Sequence, residues 1–260
     1  MTSYITLYVN SKDRTNVSDS PTNFKYDLNI GTLDNYNFIV KSACIPLSNY
    51  VSVYPPKDGT GFQTFVLNDI GLHVVSVQNG NYTAQQLAQL IQTQMNAVTG
   101  SGPYAVTYSV ATNKFTITTA GNPFQIGFVG NNYAYPYQSI ASVLGWRDAS
   151  YNPINVNITS ATEAPFEANL SGPLNYYIKS NALGVGINGF FQKIQDKVIC
   201  AIPNNGAPFG ILAYLNPNNT PQPIYASNIS QLDFRLVDEY DNDVILTMDW
   251  QVTIMFQKAI

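Results

Sequence analysis

Hydrophobic residues fall on every second position over the last part of the chain: Val244, Leu246, Met248, Trp250, Val252, Ile254 and Phe256. A period of two, carried by aromatic and β-branched residues, is the mark of a strand with one buried face. Ile229, Leu232, Phe234 and Leu236 come before it, and the acidic stretch Asp238-Glu239-Tyr240-Asp241-Asn242-Asp243 lies between the two runs. Residues 228–260 are therefore expected to form one long hairpin about a solvated acidic turn. The same alternation predicts strands over Met1–Asn10, Phe38–Ile45, Phe62–Leu67, Leu72–Val77, Tyr104–Val110, Lys114–Thr119 and Phe124–Ile126, the 104–119 pair forming a hairpin about Thr112-Asn113.

One stretch breaks this pattern. Ala84, Leu87, Leu90, Ile91 and Met95 recur at helical spacing, Thr83 and Gln86 have the spacing of a capping box, and Gly100 offers a stop. A shorter helix is expected over Gln138–Leu144, closed by Gly145. Beyond it the pattern loosens, with short strands near Ile154–Ile158, Tyr176–Ile178, Val198–Ile202 and Ile211–Leu215 between loops rich in Gly, Asn and Pro. Many short strands and one helical excursion predict an all-β fold, a sandwich or jelly roll, with 62–150 a β-rich insertion or subregion carrying one or two short helices.

Composition sharpens the picture. Charged residues are 11 % of the chain, where soluble proteins average roughly 25 %. Aromatics reach 13 %, with 18 Tyr and 13 Phe. Tyrosine supplies apolar area with a hydrogen-bonding tip, and depletion of charge with aromatic enrichment marks the cores of interfaces. A surface made for contact is one reading; a tyrosine-rich β-protein of ordinary surface is the other. The net charge of −4 and the scatter of 12 Lys+Arg argue against direct nucleic-acid binding, which needs a basic stripe. Met1–Asn10 lacks the apolar block of a secretory signal, and no stretch approaches the ~20 apolar residues of a membrane span. A soluble product made in the cytosol, without a membrane span, is the expectation, and Cys44 and Cys200, in apolar strand contexts, are expected to be buried thiols.

Candidate chemistry is thin. His73 is the one histidine, too few for a metal centre that needs two or three imidazoles. Gly184-Val185-Gly186-Ile187-Asn188-Gly189 has the dinucleotide-loop spacing, but no acid follows at the required distance, so it reads as a loop. The acids of 238–243 lack the glycine and glutamate spacing of a calcium loop. No nucleophile elbow occurs. The expectation is a protein that is no enzyme and has no catalytic residue, metal or cofactor.

Three ordered groups of segments resemble a known family. The first is Tyr8-Val9-Asn10-Ser11-Lys12-Asp13-Arg14, then Ser20-Pro21-Thr22-Asn23-Phe24 and Ile45-Pro46-Leu47-Ser48-Asn49-Tyr50. The second is Gly80-Asn81-Tyr82-Thr83, Asn113-Lys114-Phe115-Thr116-Ile117 and Leu144-Gly145-Trp146; the third is Phe234-Arg235-Leu236-Val237-Asp238 with Asp249-Trp250. In this order they resemble the penton, or vertex minor capsid, proteins of icosahedral DNA viruses of the double-jelly-roll lineage, of virophage and giant-virus type. The resemblance implies a single jelly-roll sandwich spanning residues 1–260 with β-insertions, and a structural virion protein whose homopentamer closes the five-fold vertices, beside trimers of the major capsid protein, assembled in the host cytoplasm or virus factory.

Candidate interface residues are Tyr4, Tyr8, Arg14, Phe24, Tyr133, Tyr135, Tyr137 and Trp146. Met1–Phe24 is a candidate arm reaching neighbouring capsomers, with a plain edge strand over Tyr4–Val9 as the alternative. A second functional class is a glycan- or receptor-binding jelly-roll module of a virion, its aromatic faces supplied by Tyr133, Tyr135, Tyr137, Trp146 and Tyr151.

Overall fold

The computed structural model describes residues 4–28, 33, 35–48, 53, 62–98, 102–128, 139–150, 152–184, 197–207, 209–224, 229–239 and 241–259. The chain forms two compact units, one from Met1–Asn49 with Pro173–Ile260 and one from Tyr50–Gly172.

The first unit is a sandwich of two antiparallel sheets. Strands β1 (Tyr4–Asn10), β3 (Tyr36–Pro46), β13 (Ile211–Leu215) and β16 (Gln251–Lys258) form one sheet in the order β1-β16-β3-β13, with the two-residue β14 (Gln222–Pro223) added beside β3. Strands β2 (Asn23–Asp27), β11 (Asn175–Lys179), β12 (Val198–Pro203) and β15 (Gln231–Val237) form the other, in the order β12-β11-β15-β2. Eight strands alternating between two such four-stranded sheets define a jelly roll. Residues 50–172 interrupt it between β3 and β11.

The inner faces supply one core. Val252, Ile254 and Phe256 of β16 and Leu232, Phe234 and Leu236 of β15 are all buried in it. Phe24 lies 5.6 Å from Phe234 within its own sheet and 6.0 Å, edge-on, from Trp250, which leads into the other. Trp250 also ties the chain ends together. Its indole N–H donates to the Pro21 carbonyl at 2.7 Å, its backbone N–H to Ser11 Oγ at 3.1 Å, and its carbonyl accepts from the Ser11 N–H at 2.9 Å.

The terminal hairpin expected from the sequence does not form. β15 and β16 belong to opposite sheets, and residues 238–250 carry the chain from one to the other. Val244, Leu246 and Trp250 are buried on the way while Met248 is exposed, so most of the apolar alternation serves a crossing that is not a strand. The candidate arm is corrected too. β1 is an edge strand, paired with β16 over its full length from Tyr4↔Gln257 to Asn10↔Gln251, and Ser11 and Arg14 are fastened to Asp249. Strands β2, β10 (Ala161–Glu163) and β14 escaped the sequence reading because each is short or polar.

The second unit contains the helix α1 (Ala84–Val98), which begins with the expected capping box: Thr83 N–H donates to Gln86 Oε1 at 3.0 Å, and Gln86 N–H to Thr83 Oγ1 at 3.2 Å. Its buried face, Leu87, Ala88, Ile91 and Met95, packs on β5 (Leu72–Gln78) and β6 (Tyr104–Ser109). Asn96 and Gln92 reach past that face to the open edge of β6, where Asn96 brackets Tyr104 through two 2.9 Å bonds and Gln92 Oε1 accepts from Val106 N–H at 2.9 Å. β4 (Phe62–Asn68), β5, β8 (Phe124–Gly127) and β9 (Val156–Ile158) make one sheet, and β6, β7 (Lys114–Thr119) and β10 another. A short helix α2 (Ile140–Leu144) ends at Gly145, whose φ of +87° and 2.1 Å approach of a would-be Cβ to the Phe166 carbonyl oxygen require glycine.

The two cysteines are unbridged. Burial pushes the Cys200 thiol up to about 11, against a hydrogen bond with Tyr214 that pulls it down, so it stays a neutral core group near neutral pH.

Trp250→Ala should cost the jelly-roll unit roughly 3–5 kcal/mol, the range for a buried aromatic truncated in a core. Urea unfolding followed by the far-ultraviolet signal checks it; a loss below about 1 kcal/mol would mean the crossing is not held by this residue.

Candidate interaction surface

The two outer faces of the jelly roll differ in charge. On the β12-β11-β15-β2 sheet the residues that alternate with the core include five charged ones, Lys25 and Asp27 on β2, Asp233 and Arg235 on β15, and Lys179 on β11, paired across strands as Asp233↔Lys25 and Lys179↔Arg235, among uncharged ones such as Tyr177 and Ala201. The β1-β16-β3-β13 sheet is uncharged at the equivalent positions. β1 presents Tyr4, Thr6 and Tyr8; β16 presents Gln251, Thr253, Met255 and Gln257; β13 presents Ile211, Ala213 and Leu215. In register these form rows across the sheet, such as Tyr8–Thr253–Ser42–Leu215. Lys41 is the extra residue of a bulge in β3, and its ammonium is bonded to Asn219.

This uncharged face is open at its margins. Tyr8 is 74 % exposed at one edge and Leu215 79 % exposed at the other. Burying such groups against a partner releases water at ~25 cal/mol per Å² of apolar area without stripping a charge of its hydration. A second exposed apolar group, Ile70, Leu72 and Val74, sits at the β4–β5 hairpin. There Asp69, its carboxylate almost fully covered, accepts from Tyr104 Oη at 2.6 Å and lies 3.3 Å from His73 Nε2, which gives the one histidine a place in the hairpin.

The charged sheet is internally committed. The acidic stretch read as a solvated turn is instead bonded into the fold. Asp238 is buried and accepts from the backbone and side chain of Asn242 at 2.9 Å each. Asp241 pairs with Lys179 at 2.9 Å and Arg235 at 3.3 Å; Asp243 takes Arg235 Nε at 2.5 Å. Burial pulls the Arg235 guanidinium down, but Asp243 and Asp241 outweigh it and hold it above its ordinary value. Lys179 lies 62 residues away on β11, beyond any local reading, whereas Arg235 on the preceding strand and Asn242 within the stretch are near in sequence. Lys179, Asn181, Lys197, Asp233, Arg235 and Asp241 line a cleft of about 320 Å³. Asp233 accepts from the backbone N–H of Asn181 at 2.9 Å and of Ala182 at 3.0 Å, and Lys197 donates to Asn181 Oδ1 at 2.6 Å.

The interface residues expected from sequence separate into three groups. Tyr4 and Tyr8 stand exposed on the uncharged sheet. Arg14 is turned to Asp249 at 3.1 Å and the Ser11 carbonyl at 2.8 Å, closing the β1 end. Phe24 and Trp146 are core residues, 2 % and 0 % exposed, with Trp146 stacked 6.0 Å from Phe128; neither offers a face to a partner or a sugar. Tyr133, Tyr135, Tyr137 and Tyr151 lie outside the described residues, as does the glycine-rich stretch after Gly184. Ile211 and Leu215 of β13, exposed on the same face, were not among the candidate residues, although the sequence did place a strand over Ile211–Leu215.

Among the described residues no group of three or more His, Cys, Asp or Glu could hold a metal ion, and no helix is long and apolar enough to cross a membrane.

No family model matches the chain, and no curated protein matches it in sequence. Among solved structures it is similar to the mavirus penton protein, at 13 % identity and a TM-score of 0.45, covering 98 % of this chain and 99 % of that one. It is also similar to a chain in the structure of the Sputnik virophage, at 13 % identity and a TM-score of 0.46, covering 98 % of each.

Asp241→Asn should lower the stability of the jelly-roll unit by about 1–3 kcal/mol, because it strips the charge that Lys179 and Arg235 share. Chemical denaturation checks this; an unchanged midpoint would show the cluster to be a solvated surface feature.

Proposed function

We propose that the chain is a structural virion protein, a penton whose homopentamer closes the five-fold vertices of an icosahedral capsid beside the major capsid protein trimers. The observation that carries this reading is a jelly roll with one outer face cleared of charge and the other bonded internally through its ions. The ordered segments from Tyr8-Val9-Asn10 to Asp249-Trp250, which resemble those of penton proteins, support it.

The physical fit is direct. A five-membered ring uses heterologous contacts, in which one flank of each subunit meets a different flank of the next. Packing several copies about an axis is easier when the approaching faces carry little charge, since no like charges are brought together and none is desolvated. Stable contacts of this kind bury about 1,000 Å² or more each, an area that a four-stranded sheet margin with its loops can supply.

Electron microscopy of the purified protein or of virions tests the reading. Five-fold rings, or vertex density that accepts this jelly roll, are expected; a protein that stays monomeric and is absent from particles would overturn it.

A further inference from the structure

Three of the eight edges of the described sheets are guarded. β2 carries Lys25 and Asp27, β12 ends on Pro203, and the edge of β6 is capped by Asn96 and Gln92 of α1. Charge, proline and covering side chains are the usual means of keeping sheet edges from pairing with other chains. Among the described residues β1 and β13, which end the β1-β16-β3-β13 sheet, carry none of them; the proline on the β13 side, Pro223, belongs to β14 farther along β3. β1 pairs with β16 on one side, and β13 with β3 on one side. Tyr4, Thr6 and Tyr8 on β1 and Ile211, Ala213 and Leu215 on β13 are exposed and uncharged.

Two further features make these edges complementary. Both read large, small, large at alternate positions, so laid side by side they set Tyr against Ile or Leu, the aromatic–aliphatic type of cross-strand pair that stabilises sheets. Direction also matches. The pairings β1–β16, β16–β3 and β3–β13 are all antiparallel, so β13 runs opposite to β1. A copy brought alongside by rotation about an axis parallel to the strands keeps every strand's direction, and its β1 meets this copy's β13 antiparallel. The exposed apolar hairpin at Ile70–Val74 has no such counterpart, because the far edge of its sheet is the three-residue β9.

We propose that the partner of these edges is a second copy of this chain: β13 of one copy pairs antiparallel with β1 of the next, carrying the uncharged sheet from subunit to subunit around the ring. This deepens the penton reading and rests on it. The occupant is a like copy because the two edges complete one another and leave no charge for a partner of different chemistry to meet.

Light scattering and oxidative cross-linking of the full chain test it. The wild type is expected at five times the chain mass, and Ile211→Lys with Leu215→Lys at the single-chain mass with an unchanged circular dichroism spectrum. If the double variant unfolds, cross-linking decides instead. In a Cys44→Ser background, Thr6→Cys together with Ala213→Cys should give a ladder of linked chains on oxidation, while Thr6→Cys alone should give none. A double variant that folds and keeps the five-fold mass, or cysteines that never link, overturns the edge pairing and leaves the ring standing. Linked dimers from Thr6→Cys alone also overturn it, since they mark a two-fold contact of β1 with itself. A wild type that is monomeric at high concentration, or gains mass only when a different capsid chain is added, overturns the edge pairing and the ring together.

Discussion

The jelly roll depends on how its last strand is entered. Trp250 stands where the chain arrives from the opposite sheet, its ring against Phe24, its indole N–H on Pro21 and its backbone exchanging bonds with Ser11. One residue therefore fixes the end of β1, the approach to β2 and the start of β16. Those strands are distant in sequence, and the entropy of bringing them together must be recovered by burial. The pairing of β1 with β16 closes the sheet, and the alternation Val252, Ile254, Phe256 then faces β15 across the core.

Much of this was legible in the residues. Period-two runs marked β1, β3, β4, β5, β6, β7 and β8, and the Thr83–Gln86 pair marked the start of α1, because strand faces and helix caps are local properties. What sequence period does not encode is which sheet a strand joins. The apolar run from Val244 to Phe256 looks like one strand, yet its first part crosses between sheets with Val244, Leu246 and Trp250 buried and Met248 exposed. The acidic stretch misled for the same reason: Lys179 reaches Asp241 across 62 residues, and without that partner Asp241 reads as solvated. At the candidate surface, Tyr4 and Tyr8 were legible as alternating strand residues, whereas the burial of Phe24 and Trp146 followed from packing that no local pattern reveals.

The low charge content of the chain acquires a location in the fold. Ions gather on one sheet, where Lys179, Arg235, Asp241 and Asp243 neutralise one another, and are missing from the outward positions of the other. A sheet that is uncharged outside as well as inside is a liability for a lone soluble protein. The proposed ring of like copies would turn that liability into a contact.

Amide hydrogen exchange across a concentration series tests that account most directly, because it reads each strand in the unmodified protein. Protection should rise with concentration at Tyr4–Asn10 and Ile211–Leu215 while Asn23–Asp27 and Val198–Pro203 stay unchanged. Protection gained on β2 or β12 instead, or no concentration dependence anywhere, would contradict it.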